Sequence, residues 1–495
     1  MKLDYSPDEA WRPLPAESWD APAARHLLRR SGWSAPSEQV TRLLRDGLVP
    51  TLNRVFPLKP AALPLPQSVA EVRDETMELR RQLRTASADQ KRDLRRKDQQ
   101  QARDAIGDLT LEWMQFSLDP ERAAYEKWVS FLGNVYVVSA NKVRDPALLY
   151  QHQAILREAG TGTAPSLTKL VLRSPAMIQY LDLQQNRLGS PNENFGRELM
   201  ELFTLGVGHY TEDDVKQGSR AFTGYHQRDG HFEFAPRQHD RGSKTFLGRT
   251  GDFDGDEAID VIYQQPAAGI HLPTLMARFY LGDDALPDPY LAALGVWWRS
   301  TGYDLRQLCL RWFSSRLFFD PRFRGVAIKS PQQYYLGLLQ DLSLNLTPLP
   351  RRVLPVMRQM GQPLYMPPNV RGWVGGREWI NSATLDARRA LVGVLFSPLN
   401  ENRLNADEQR ALDRARAAGV KDFAFADDRF AKLLALSDAD VSASLIDFLL
   451  PVNVAADYRA AVTNFIAGNG DAAHRLARIR NAAVTLLESP EYQLC

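Results

Sequence analysis

Apolar residues recur at spacings of three and four through most of the 495-residue chain, and helix-capping residues precede many of these runs, a pattern that predicts a mainly helical protein. The clearest run is residues 191–206, Pro-Asn-Glu-Asn-Phe-Gly-Arg-Glu-Leu-Met-Glu-Leu-Phe-Thr-Leu-Gly. Ser190 offers a capping hydroxyl, Pro191 suits the first helical position, Glu193 completes a capping box, and Gly206 suits the stop. At about 100° per residue, Glu193, Asn194, Arg197, Glu198 and Glu201 share one face, with Phe195, Leu199, Met200, Leu202 and Phe203 opposite. The segment reads as an amphipathic helix whose face is laced by four-apart pairs, Glu193 with Arg197 and Arg197 with Glu201.

Elsewhere Thr211-Glu-Asp-Asp214 opens a helix that ends near Gly224, and Ser437-Asp-Ala-Asp440 opens another. His231-Phe-Glu-Phe to Thr245-Phe-Leu-Gly248 alternates instead, around a turn-like Asp240-Arg-Gly-Ser243, so a small β-hairpin is expected near 231–248. The expected fold is therefore all-α with one small inserted hairpin. Ten residues from Pro57 to Pro66 hold four prolines and form an extended connector. Residues 71–104 carry ten basic and eight acidic residues, and Ser87-Ala-Asp-Gln90 has the form of a capping box. They read as a solvated helical hairpin in preference to a nucleic-acid arm, because the charges nearly cancel. Four segments follow: a helical piece at 1–56, connector and arm at 57–118, a helical core at 119–400 and a helical end at 401–495, read together as one integrated unit.

Composition, at 44% hydrophobic and 24% charged residues, is that of a globular protein with ample core material. A formal net charge of +2 shows neither a nucleic-acid nor an anionic-membrane footprint in the total. Two cysteines, Cys309 and Cys495, exclude a disulfide framework and a Cys-x-x-Cys metal pattern. Met1 to Asp20 has acidic residues and no apolar stretch of an export signal. The sequence as it stands thus points to the cytoplasm, with the periplasm as the alternative if a signal peptide has been removed. No apolar run is long enough for a membrane span.

Candidate chemistry starts with Glu198 and Glu201, which at three apart could ligate a divalent metal or share a proton if another element covered them. His209 lies in a loop from which it could reach that face, or cap helix-end carbonyls. His239 ranks first among the imidazoles for a functional role, with Asp240 and Lys244 beside it; a turn also accounts for Asp240. Asp252, Asp254 and Asp256 read as helix caps in preference to a calcium loop. Pro367-Pro-Asn-Val-Arg-Gly-Trp-Val-Gly-Gly376 must be a loop on a defined path. Its Asn369, Arg371 and Trp373, with Trp379 beyond, could line a pocket or hold a buried turn. No Gly-x-Ser-x-Gly, Walker or His-Glu-x-x-His motif occurs.

The 191–206 segment, followed by Gly208-His-Tyr-Thr-Glu-Asp-Asp-Val215 and Ala221-Phe-Thr-Gly-Tyr225, resembles the domain of unknown function 1800 family of bacteria. Lys329-Ser-Pro331, the 367–376 loop, Trp379-Ile-Asn381, His26-Leu-Leu-Arg-Arg30 and Ser489-Pro-Glu-Tyr-Gln493 extend the likeness across nearly the full chain. The resemblance implies a mostly helical fold, and a protein partner of the sulfatase-like domain of unknown function 1501 family. It also exposes a departure: relatives carry Trp-His-Asn-His-Phe where this chain has Leu132-Gly-Asn-Val-Tyr136. Both histidines are gone, and Asn134 remains on a polar stripe with Lys127, Ser130 and Asn141, expected as a satisfied polar group in preference to a ligand. Two readings result. One is a non-catalytic helical partner or scaffold without nucleic acid or cofactor. The other is a metal-dependent or acid–base enzyme built on Glu198, Glu201, His209 and His239, with Arg197 and Asn134 on the binding face.

Overall fold

The computed structural model describes residues 3–283, 286–346, 352–397, 399–417, 419 and 424–495, with the side chains of 74–78, 80, 81 and 427 left aside. Helices dominate, and the only strands among the described residues are four short ones in two separate antiparallel pairs. Buried apolar residues from Leu3 to Tyr492 join in one continuous cluster. No helix of the described residues is long and apolar enough to cross a membrane.

Helix starts follow the local chemistry of the sequence. Asp119, Asp145 and Thr163 each accept a backbone N–H at the head of helices Pro120–Val135, Pro146–Ala159 and Ala164–Leu172, all with proline in the first turn. The capping box at Ser87 starts helix Ala88–Leu118 as expected, and Thr211 and Ser437 cap helices Glu212–Ala221 and Asp438–Leu449. Asp254 forms a capping box with Glu257 at helix Gly255–Gln264, in line with the capping role expected of that acidic run.

Two local expectations need correction. The hairpin region holds two hairpins: β1 (Tyr225–Arg228) pairs with β2 (His231–Phe234), and β3 (Lys244–Phe246) with β4 (Arg249–Gly251). Their turns are Asp229-Gly230 and Leu247-Gly248, all at positive φ, so the tight turns fall where Gly accepts the left-handed backbone. Asp240-Arg-Gly-Ser243 instead links one hairpin to the other. The 191–206 segment also departs from a regular helix. Its cap is Asn192, not Ser190; α-helix runs only over Glu193–Glu198, and a π-turn over Leu199–Thr204 carries the rest. There the N–H groups of Leu205 and Gly206 both reach Met200 O, at 2.8 and 3.0 Å, and Gly206 ends the turn at φ +85°.

Helix Pro120–Val135 lies at the centre, against helices Ala21–Ser31, Leu48–Val55, Ala88–Leu118 and Pro146–Ala159. Being buried around most of its girth, it must satisfy its polar residues internally. Glu126 receives a two-pronged pair from Arg157, 2.8 and 2.6 Å, and a third bond from Trp113 Nε1 at 2.9 Å. Both charged side chains are almost wholly buried, so the pair is stable only as a set. Arg157→Met should lower stability by about 3–5 kcal/mol in denaturant titration by stranding the Glu126 charge, and adding Glu126→Leu should recover a large part of that loss.

Candidate functional site

Helix Pro120–Val135 also builds the floor of a cleft of about 990 Å³. Five of its residues line the cleft, among them the polar Lys127, Ser130 and Asn134 at one-turn spacing. Asn141, expected on the same stripe, lies beyond the helix end at Val135. The floor lysine is fully engaged. Its Nζ donates to Gly32 O at 2.9 Å, Gln333 Oε1 at 3.0 Å and Arg29 O at 3.4 Å. Burial pulls its pKa down to about 7, while three acceptors favour the ammonium form. Cys495 Sγ lies 3.7 Å from both Arg30 Nη1 and Gln333 Oε1; burial raises its pKa, but Arg30, Lys127 and Lys329 together bring it below the ordinary value.

The 367–376 loop forms one wall, fixed at three points. Asn134 presents its whole amide to the backbone of one residue: Oδ1 accepts from Trp373 N at 2.8 Å, and Nδ2 donates to Trp373 O at 3.1 Å. Gly372, at φ +73°, leaves no room for a Cβ beside Asn134 Oδ1. Asp283 Oδ2 accepts from Arg377 N at 3.1 Å, under a Gly376 that likewise has no room for a side chain. Arg371, its own N–H held by Asn369 Oδ1 at 2.9 Å, donates Nη2 to Glu201 Oε1 at 2.8 Å.

The opposite wall is helix Ala268–Tyr280, with Ile270, His271 and Phe279 towards the cleft. His271 Nε2 donates to Leu202 O at 2.8 Å, answering a carbonyl of the π-turn and fixing the ring proton on Nε2. Burial lowers its pKa, favouring the neutral ring. A Cβ at Gly206 would come within 3.0 Å of His271 Nδ1, which ties the π-turn closely to this ring. At the mouth, Val207, Val326 and Val374 are 74%, 51% and 84% exposed.

Of the residues expected at a site, Asn134, Glu201, His209, Arg371, Trp373 and Trp379 line this cleft, whereas Arg197, Glu198, Asn369, His239, Asp240 and Lys244 do not. The expected four-apart pairs are replaced. Arg197 forks onto Glu212 at 2.8 and 2.6 Å, and Glu201 accepts from Arg371 and, on its other oxygen, from Tyr210 OH at 3.0 Å. A planar guanidinium meets both oxygens of Glu212 where a helix-surface neighbour supplies a pair worth only about 0.3–0.5 kcal/mol. Glu198 remains half-buried beside Glu201; burial first, and that neighbouring charge second, raise its pKa.

The hairpin residues form a structural cluster of their own. His239 is buried with Nδ1 on Thr223 O at 2.9 Å and its ring against Phe234. Asp240 takes Arg220 at 2.7 and 3.0 Å, and the buried Lys244 donates to Asp252 Oδ1 at 2.9 Å and Gly242 O at 3.1 Å. The Arg220–Asp240 pair ties the segment between the hairpins to helix Glu212–Ala221, and none of the three residues reaches the cleft. Among the described residues, no group of three or more His, Cys, Asp or Glu is placed to hold a metal ion. Sequence reasoning missed His271, Asp283 and Gln333. His271 sits in an apolar helical run, and Asp283 and Gln333 become cleft residues only through contacts 94 and 206 residues away along the chain.

The family model described as Protein of unknown function (DUF1800) matches residues 26–494. No curated protein and no solved structure matches the chain.

Two outcomes follow from this geometry. Asn134→Ala should free the Trp373 peptide, seen as faster proteolysis at 367–376 and a loss of about 1–3 kcal/mol in unfolding. Between pH 7 and about 9, unfolded lysine keeps a proton that buried Lys127, and Lys329 with its pKa lowered by burial to about 8, release. The unfolded chain binds more protons there, so stability should rise with pH across that window. Thermal melts should show this rise, with a shallower slope in Lys127→Met.

Proposed function

We propose, for a chain that belongs to the DUF1800 family, that it is a non-catalytic helical partner protein of a bacterial two-component assembly. Its cleft receives a segment of the second component, a protein of the sulfatase-like domain of unknown function 1501 family. One observation carries this reading. Asn134 spends both its amide groups, and Glu201 one carboxylate oxygen, on holding the 367–376 loop as a cleft wall, while the other Glu201 oxygen accepts from Tyr210 OH.

Supporting it further, His271 and Lys127 use their donors on backbone and amide oxygens. Exposed valines at the mouth supply the apolar contact that an inserted segment needs. The enzyme reading is left with Glu198, Glu201 and the exposed loop residue His209, since His239 lies in the hairpin cluster. Two carboxylates with no third His, Cys, Asp or Glu placed with them among the described residues make a weak site for a transition metal.

Co-expression with a sulfatase-like protein of that second family, followed by gel filtration with light scattering, should give a stoichiometric complex that Val207→Glu with Val374→Glu weakens at least about tenfold. Metal analysis on protein purified without chelator should show well under one equivalent. Failure to form a complex, together with about one equivalent of a transition metal lost in Glu198→Gln with Glu201→Gln, would overturn the reading in favour of a metalloenzyme.

A further inference from the structure

Helices Gln67–Thr85 and Ala88–Leu118 form an antiparallel hairpin that turns at Ala86-Ser87. The first buried residue of the second helix is Ala105. Residues 88–104 therefore extend the arm about 25 Å, at 1.5 Å per residue, from the part of that helix packed on the body.

Charge is partitioned along this arm. Residues 82–97 hold Arg84, Lys91, Arg92, Arg95, Arg96 and Lys97 against only Asp89 and Asp93, a net charge of +4. The sequence places Arg80 and Arg81 immediately before them, whereas Asp98 and Asp104 lie nearer the body. Asp89 pairs with Arg92, and Asp93 with Arg96 at 3.4 Å. Arg84, Lys91, Arg95 and Lys97 are thus in excess of the two aspartates, and all but Lys91 are exposed. The near-cancellation over 71–104 conceals a basic tip. With a Debye length of about 8 Å at physiological salt, the tip acts electrostatically as a patch of its own.

We propose that the arm tip is an electrostatic docking site for the surface of an anionic phospholipid membrane. The shape decides between polyanions. Two helices side by side are roughly 20 Å wide, too broad for a duplex major groove of about 12 Å. Residues 82–97 contain no aromatic side chain for stacking on single-stranded bases. A flat anionic surface imposes no width limit and attracts each nearby Lys or Arg independently. Few apolar residues lie at the tip, so attachment is electrostatic, reversible and salt-sensitive, without insertion.

The test is co-sedimentation of the full chain with vesicles of phosphatidylcholine alone or mixed with phosphatidylglycerol. Binding should appear only with the anionic lipid, vanish at high salt, and weaken at least roughly tenfold in Arg84→Glu, Arg95→Glu, Lys97→Glu. The charge-preserving Arg84→Lys with Arg95→Lys should bind as the wild type does, and circular dichroism should show each variant folded. Equal sedimentation with neutral and anionic vesicles, binding unchanged by charge reversal in a folded variant, or tighter binding to a duplex DNA fragment than to the anionic vesicles would each overturn the proposal.

Discussion

A helix enclosed on nearly all sides cannot leave a polar group unanswered, and that constraint on helix Pro120–Val135 organises the molecule. Glu126, Lys127, Ser130 and Asn134 each find partners on a different part of the chain: Arg157 and Trp113, the end of helix Ala21–Ser31 with Gln333, Gln332, and the Trp373 peptide. Unpaired, each would carry a desolvation penalty of about 1–3 kcal/mol, and more for the two charges. Satisfying them draws the first hundred residues, the central core and the 367–376 loop onto one axis. The cleft is a consequence, because its floor is the side of this helix that the loop and helix Ala268–Tyr280 do not close.

The same economy of polar groups explains the character of the cleft. Its strongest hydrogen-bonding groups are tied to backbone: Asn134 to Trp373, His271 to Leu202, Lys127 to Arg29 and Gly32. The exposed groups left on the cleft are the valines Val207, Val326 and Val374 together with polar residues such as His209, Arg278, Arg371, Arg377 and Glu378. Such a surface is suited to holding a partner, with rigidity supplied from beneath and apolar contact from the rim. The basic arm tip lies in a part of the chain that lines none of this cleft, so the protein presents two surfaces of different chemistry.

Much of the architecture was legible from residues in order along the chain. Capping at Ser87, Thr211, Asp254 and Ser437, the helical arm, the proline-rich connector and the mainly helical class are set by neighbours a few residues apart, where propensity and capping act. Local reasoning also found a hairpin region but joined the wrong strands, because Asp229-Gly230 and Leu247-Gly248 both offer tight turns and short alternating runs fix register weakly.

Residues in series therefore determined the helices, most of their caps and the presence of a specific loop at 367–376. Tertiary structure decided what the polar side chains do. The periodicity of 191–206 gave Arg197 two glutamate neighbours on an ideal helix, yet a π-turn and Glu212 changed its partner. Glu201 became a loop anchor only because Arg371, 170 residues on, folds beside it. His239 proved to be a buried strut against Thr223, while His271, with no motif to mark it, became part of the cleft. Spacing fixes which side chains share a face. Whether that face meets water, a carbonyl or an arginine depends on long-range packing, which no local pattern encodes.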